Sequence, residues 1–116
     1  MALLFASLNG ISKVGEYTGT GNNINVDCGF SNGARFVMIK RTDTEINPDP
    51  GTDWYVWDTT QGISSGNDPY WTINQGANQV TGTDYIDPLN AGFTVPSSAP
   101  AALNTSGGKY LFMAIA

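Results

Sequence analysis

Apolar and polar residues alternate along this chain in short runs, each closed by glycine, proline, asparagine or serine. In Asn22–Cys28, Ile24, Val26 and Cys28 alternate with Asn23, Asn25 and Asp27, the period-two signature of a half-buried strand. Lys13–Thr18 precedes it across Gly19-Thr20-Gly21, a sequence that predicts a hairpin loop. Phe30-Ser31-Asn32-Gly33 turns the chain into a strand over Ala34–Arg41. The loop Thr42–Thr52 contains Asn47-Pro48-Asp49-Pro50-Gly51, which must bend and cannot pair in a sheet. Further strands are predicted at Asp53–Asp58, Tyr70–Asn74, Gln79–Thr81, Asp84–Asp87, Gly92–Val95 and Lys109–Ala116, with Pro96–Asn104 as a connector. Between Gly15 and Lys109 the longest stretch without glycine or proline is Ala34–Asn47, most of it taken by the strand Ala34–Arg41, so a three-turn helix has almost nowhere to sit. The expected fold is all-β: a two-layer antiparallel β-sandwich, jelly-roll-like, with about eight or nine short strands and no substantial helix. Residues 1–12 read as an N-terminal arm and residues 13–116 as the β-sandwich domain.

Three of these strands are apolar on both faces. Phe36 and Met38 oppose Val37 and Ile39; Trp54 and Val56 oppose Tyr55 and Trp57. In the last strand Tyr110, Phe112 and Ala114 oppose Leu111, Met113 and Ile115. A two-layer sandwich buries only the inner face of each sheet. The outer apolar positions therefore need a second cover, from Pro96–Asn104 and the arm or from a neighbouring chain. The connector is short and rich in Ala, Ser and Pro, so it buries little area. The expectation is cover by a neighbouring copy.

Composition sharpens this picture. Charged residues are 13% of the 116, about half the usual share. Small polar residues replace them, with 14 glycines, 12 threonines, 11 asparagines and 8 serines. That mixture suits strands and turns better than exposed helix faces. The net charge of −5 provides no basic footprint for nucleic acid or an anionic membrane, so neither is expected as a partner. One cysteine cannot form an internal disulfide. Met1–Ala6 and Leu111–Ala116, the longest apolar runs, are far short of the ~20 residues of a membrane helix. Met1–Ala6 also lacks a basic flank, and the chain reads as not exported through a signal peptide.

Candidate chemistry is sparse. The chain has no histidine, which removes the commonest general base and the commonest metal ligand. Cys28 ends an alternating strand at an apolar position and reads as a small core residue. Asp43, Glu45, Asp49 and Asp53 gather around the Thr42–Thr52 loop, but their spacing does not match a calcium loop. Asp58 and Asp68 form a nominal carboxylate pair of the kind glycosidases use, with nothing in the sequence to set their separation. Gly19-Thr20-Gly21 and Gly107-Gly108-Lys109 lead into strands and open no helix for a phosphate. Trp54, Tyr55, Trp57, Tyr70 and Trp71 are of the type that stacks on sugar rings, but in a small β domain such residues more often fill the core. No catalytic, cofactor-binding or metal-ligating residue is assigned, no cofactor is expected, and the chain is expected not to be an enzyme.

The order of certain segments is more telling. Val14-Gly15-Glu16-Tyr17-Thr18-Gly19-Thr20-Gly21 is followed by Phe36-Val37-Met38-Ile39-Lys40-Arg41-Thr42 and then Trp54-Tyr55-Val56-Trp57-Asp58. Gly92-Phe93-Thr94-Val95 and Gly107-Gly108-Lys109-Tyr110-Leu111-Phe112-Met113-Ala114-Ile115-Ala116 complete the series. Across residues 13 to 116 this succession resembles a β-rich module of tailed-bacteriophage virion proteins, found at the C-terminal end of tail-fibre-like proteins and in small capsid decoration proteins. The resemblance implies a structural protein on the outer surface of a virion, made in the host cytoplasm, that decorates or cements the capsid. It implies partners among copies of itself, with a homotrimer expected, and among phage capsid or appendage proteins. The alternative it implies is a receptor-binding fibre tip whose loops Thr42–Thr52 and Gln61–Tyr70 contact host surface glycans.

Overall fold

The computed structural model describes residues 5–43, 53–73 and 78–116. The described residues form eight strands: β1 (Ser12–Thr18), β2 (Ile24–Asp27), β3 (Phe36–Arg41), β4 (Tyr55–Asp58), β5 (Trp71–Thr72), β6 (Asp87–Leu89), β7 (Gly92–Val95) and β8 (Lys109–Ile115). A single-turn helix, α1 (Ala101–Asn104), lies between β7 and β8. The strands make two antiparallel sheets, one of five strands in the order β1-β8-β3-β4-β5 and one of three in the order β2-β7-β6. This is the expected all-β sandwich. It is jelly-roll-like in its outer turns, where β1-β8-β3 faces β2-β7; β4 and β5 then extend the first sheet and β6 the second.

The inner faces meet in one core. Val37, Ile39, Tyr55, Trp57, Tyr110, Phe112 and Ala114 come from the larger sheet, and Val26, Phe93 and Val95 from the smaller. Tyr17 stacks on Tyr110 with ring centroids 4.9 Å apart, and Phe112 meets Phe93 edge-on at 5.4 Å across the two sheets. Cys28 is part of this core, where burial pushes its thiol up to about 11. Alternation puts the other set of each two-faced strand outside, as the sequence pattern predicts.

Three local expectations are corrected. Residues Lys13–Thr18 and Asn22–Cys28 are not a hairpin: β1 and β2 lie in different sheets. The turn between them is pulled off the hairpin path by the chain before β8. Gly19 donates to Gly108 and accepts from Gly107, and the Asn104 side chain binds Thr20 and Gly21. A Cβ on Gly19 would collide with the Thr105 carbonyl, so only glycine permits this approach. The strand expected at Asp84–Asp87 begins at its last residue, because the backbone N–H groups of Tyr85 and Ile86 bind a side chain, Asp68. Gln79–Thr81 contributes one bridge, Tyr70 with Val80.

The connector Pro96–Asn104 does cover apolar surface, but on the inside. Ala99, Ala102 and Leu103 belong to the inter-sheet core, and the Tyr17 hydroxyl donates to the Leu103 carbonyl at 2.8 Å. It leaves the outer face of the larger sheet to other groups.

Candidate functional site

The outer face of the five-stranded sheet is organised by strand register. Val14 pairs with Met113, Met113 with Met38, Met38 with Val56 and Val56 with Trp71. Paired residues share a face, so one apolar row crosses all five strands. A second row runs Leu8–Ser12–Ile115–Phe36–Asp58, because Leu8 bridges Ser12 beyond the edge of β1. A third holds Glu16, Leu111 and Lys40; the Lys40 ammonium lies 5.7 Å from the Trp54 ring centroid.

Met38, Val56 and Met113 at the centre of this face are buried, at 8%, 9% and 6% exposure, with Val14, Phe36 and Trp54 packed against them. The middle of the second apolar layer is thus closed within a single chain, because the larger Phe36 and Trp54 flank the thinner side chains. Cover by a neighbouring copy is not needed there. The ends of the face are different. Trp71 and Ile73 are 40% and 56% exposed beside β5, and Leu8 and Ile115 are 56% and 37% exposed beside β1. Phe5 and Ile11, on the same arm as Leu8, are also exposed.

The described part of the N-terminal arm is tied to the edge of β1. The Ser7 hydroxyl takes the Val14 N–H at 2.9 Å, and the Ser12 hydroxyl donates to the Ala6 carbonyl at 2.7 Å. Leu8 and Ser12 also exchange backbone hydrogen bonds. The Ser7 hydroxyl and the Leu8 backbone thereby occupy part of an edge that would otherwise offer unpaired backbone groups. Met1–Leu4 lie outside the described residues.

A second cluster, of carboxylates, lies at the other sheet. Asp68 is fully buried and accepts the N–H of Tyr85 at 3.1 Å and of Ile86 at 3.0 Å. Burial raises its carboxyl to about 7; the two backbone donors oppose that rise, and nearby Asp84 and Asp87 add to it. Burial also raises Asp87, with Asp84 contributing in the same direction. The Asp84 backbone carbonyl accepts from the Ser98 hydroxyl at 2.6 Å. The cluster stitches together the chain around residues 66–68, 82–87 and 98. Because the oxygens of Asp68 face backbone donors and are closed to solvent, its arrangement is that of a loop tie.

The remaining sequence candidates are dispersed. Asp43 binds the Arg41 guanidinium at 2.7 Å, which holds its carboxyl below the ordinary value. Asp53 is buried apart from it, while Glu45 and Asp49 lie outside the described residues. Asp58 accepts the Gln61 N–H at 2.8 Å in a turn, a setting unlike that of Asp68. Tyr55, Trp57 and Tyr70 are core residues in mutual ring contact; Trp54 is half-buried and Trp71 is exposed. Gly107 and Gly108 form a turn against Gly19 and Thr105. Among the described residues no group of three or more acidic or cysteine side chains is arranged to hold a metal ion, and no helix is long and apolar enough to cross a membrane. Sequence reading overlooked Asp84 and Asp87 as companions of Asp68, and Leu8 as part of the outer face. The near-neighbour spacing of Asp84 and Asp87 was the available signal for the first.

Fold and surface together define a small antiparallel β-sandwich with a second apolar layer on the outside of its larger sheet. The chain belongs to the family described as Domain of unknown function (DUF7483), whose model matches residues 1–116. No curated protein and no solved structure matches it.

Proposed function

We propose that this protein is a non-enzymatic structural component of a tailed-bacteriophage virion, displayed on the outer surface, where it decorates or cements the capsid. The observation that carries the reading is the outer face of the larger sheet, an apolar layer closed in its middle and open at two separated corners. A surface of that kind serves contact between proteins. The succession of segments that resembles the phage module supplies the biological setting. Its strands include β1, β3, β4 and β8, which together bear most of that face. The acidic, cysteine-poor composition suits a displayed module whose stability comes from packing.

The test is the location and copy number of the chain in purified particles of a phage that encodes it, by quantitative mass spectrometry and electron cryomicroscopy. Hundreds of copies spread over the capsid are the expected result. A few dozen copies or fewer on an appendage would favour the fibre-tip alternative, and absence from particles would overturn both.

A further inference from the structure

The chain carries two Asn-Gly pairs, Asn9-Gly10 and Asn32-Gly33, and the fold treats them in opposite ways. Asparagine is a chemically labile residue, and a following glycine makes it more so, because no side chain on the glycine hinders its nitrogen from reaching the asparagine amide carbon. We propose that Asn9 is a site of spontaneous modification, at which attack by the Gly10 nitrogen yields aspartate and isoaspartate and so unfastens the N-terminal arm from β1, whereas the fold protects Asn32.

The contrast lies in the backbone. Gly33 donates its N–H to the Asn90 carbonyl at 2.8 Å, and the chain on either side is fastened too, Phe30 donating to Ala91 and Ala34 to Gly92. A Cβ on Gly33 would lie 3.1 Å from the Leu89 carbonyl oxygen, so the backbone there has little space to turn. To reach the Asn32 side chain, the Gly33 nitrogen must first give up its hydrogen bond. Asn9 and Gly10 are both exposed, and no described atom lies within 4 Å of where a Gly10 Cβ would stand. Their turn is held at its ends, where Leu8 accepts from Ile11 at 2.9 Å and exchanges bonds with Ser12. The peptide joining Asn9 to Gly10 has no hydrogen bond at its carbonyl or at its N–H among the described residues. It turns without breaking a bond, and that turning brings the Gly10 nitrogen against the Asn9 amide carbon.

The reaction needs only water. The Gly10 nitrogen loses its proton to solvent and bonds to Cγ of Asn9; the Cγ–Nδ2 bond breaks, and the amide nitrogen takes a proton and leaves as ammonia. Water then opens the cyclic imide at one of its two carbonyls. Opening at Cγ gives aspartate. Opening at the backbone carbon gives isoaspartate, in which the main chain runs through Cγ and is longer by one carbon. The longer chain must fit a turn whose ends, Leu8 and Ser12, are joined by bonds of 2.9 and 3.0 Å. The same register sets the Ser7 hydroxyl on the Val14 N–H. Isoaspartate in place of Asn9 therefore parts Leu8 from Ser12 and uncovers the edge of β1. This inference goes beyond the virion role and does not depend on it.

The experiment ages the full chain at mildly alkaline pH, where the glycine nitrogen loses its proton more readily, and follows both pairs by peptide mapping. In the folded protein Asn9 is expected to convert about tenfold faster than Asn32, the factor that one extra backbone hydrogen bond supplies. In strong urea the two are expected to convert at similar rates. In the aged, folded protein the amides of Leu8, Ser12 and Val14 are expected to exchange hydrogen faster, in proportion to the isoaspartate formed. Asn9→Gln aged alongside is expected to keep its slow exchange. Freshly made Asn9→Asp carries the added charge without the added backbone carbon, and is expected to keep it too. An unconverted Asn9, an Asn32 that converts as fast as Asn9 in the folded protein, or a preference for Asn9 that survives urea would overturn the proposal. So would exchange that isoaspartate leaves unchanged, or fast exchange in either variant.

Discussion

The carboxylate of Asp68 accepts the backbone N–H of Ile86 at 3.0 Å, inside the protein and across 18 residues of sequence. A buried acid in that position makes stability depend on pH in an unusual direction. Its carboxyl is raised to about 7 by burial, whereas in an unfolded chain it titrates near ~4. The folded state therefore holds an extra proton between those values, and stability falls as pH rises through that window. Asp87 is raised as well and acts in the same sense. Asp43, lowered by its hydrogen bond with Arg41, acts in the opposite sense but at the exposed surface, where solvent screens it. The melting temperature is expected to drop by on the order of 5 °C between pH 5 and pH 8. In Asp68→Asn that dependence should flatten, whatever the offset in absolute stability. Equal slopes for the variant and the wild type would remove Asp68 as its source.

Asn104 holds the crossing between the two sheets. Its side-chain oxygen accepts from Thr20 and Gly21 at 3.0 Å each, and its amide donates to Asn22 at 2.8 Å and to Pro96 at 3.1 Å. Four bonds from one buried side chain join β1's exit, β2's approach and the end of β7. Asn104→Ala leaves those backbone groups without it and is expected to cost about 3 kcal/mol or more in urea unfolding. Asn104→Asp keeps the acceptor but loses both donors, and should be destabilised as well. If the alanine variant unfolds at the wild-type midpoint, the crossing is held elsewhere.

The inside of this fold was far more legible in the sequence than its connections. Alternation in Phe36–Ile39, Trp54–Trp57 and Tyr110–Ile115 assigns each side chain to its observed face, because period-two geometry admits no other arrangement in a strand. The link between β1 and β2 was misread because Gly19-Thr20-Gly21 has good hairpin chemistry locally. What overrides it is Asn104, more than 80 residues away, and no local pattern carries such a partner. The outer face was half legible. Its apolar positions could be named, but the closure of Met38, Val56 and Met113 depends on Phe36 and Trp54 flanking them across neighbouring strands, a matter of register. The Asp68 cluster was missed because acids at 68, 84 and 87 converge only through the bridge of Tyr70 with Val80 and the turns around it.

Gly92 begins β7 where β2 passes at close range. A Cβ there would collide with the Val26 carbonyl oxygen and come within 2.9 Å of the Cys28 sulfur. Backbone cannot retreat from such a contact without parting β2 from β7. Gly92→Ala is expected to destabilise by about 3 kcal/mol or to abolish folding. Gly108→Ala brings its Cβ to 2.7 Å from the Tyr110 hydroxyl, a wider approach than the one to backbone at Gly92, and should cost less. Equal melting temperatures for Gly92→Ala and the wild type would show that the two strands are not so closely joined.

The outer layer makes a final distinction between closed and open apolar surface. Met113 is 6% exposed within one chain, while Ile115, two residues on and on the same face, is 37% exposed. Met113→Lys forces an ammonium among Met38, Val56 and Val14, where it must lose solvation or disrupt the cluster; a cost of at least about 3 kcal/mol is expected. Met113→Ala removes the packing without adding charge and should cost about 2 kcal/mol, the lower end for a buried methionine. Ile115→Lys can reach water and is expected to change the stability of an isolated chain by less than about 1 kcal/mol. Unfolding in urea at low protein concentration, where copies are apart, measures all three. If Met113→Lys is tolerated as well as Ile115→Lys, the layer is not closed within one chain and the centre of the face needs a partner after all.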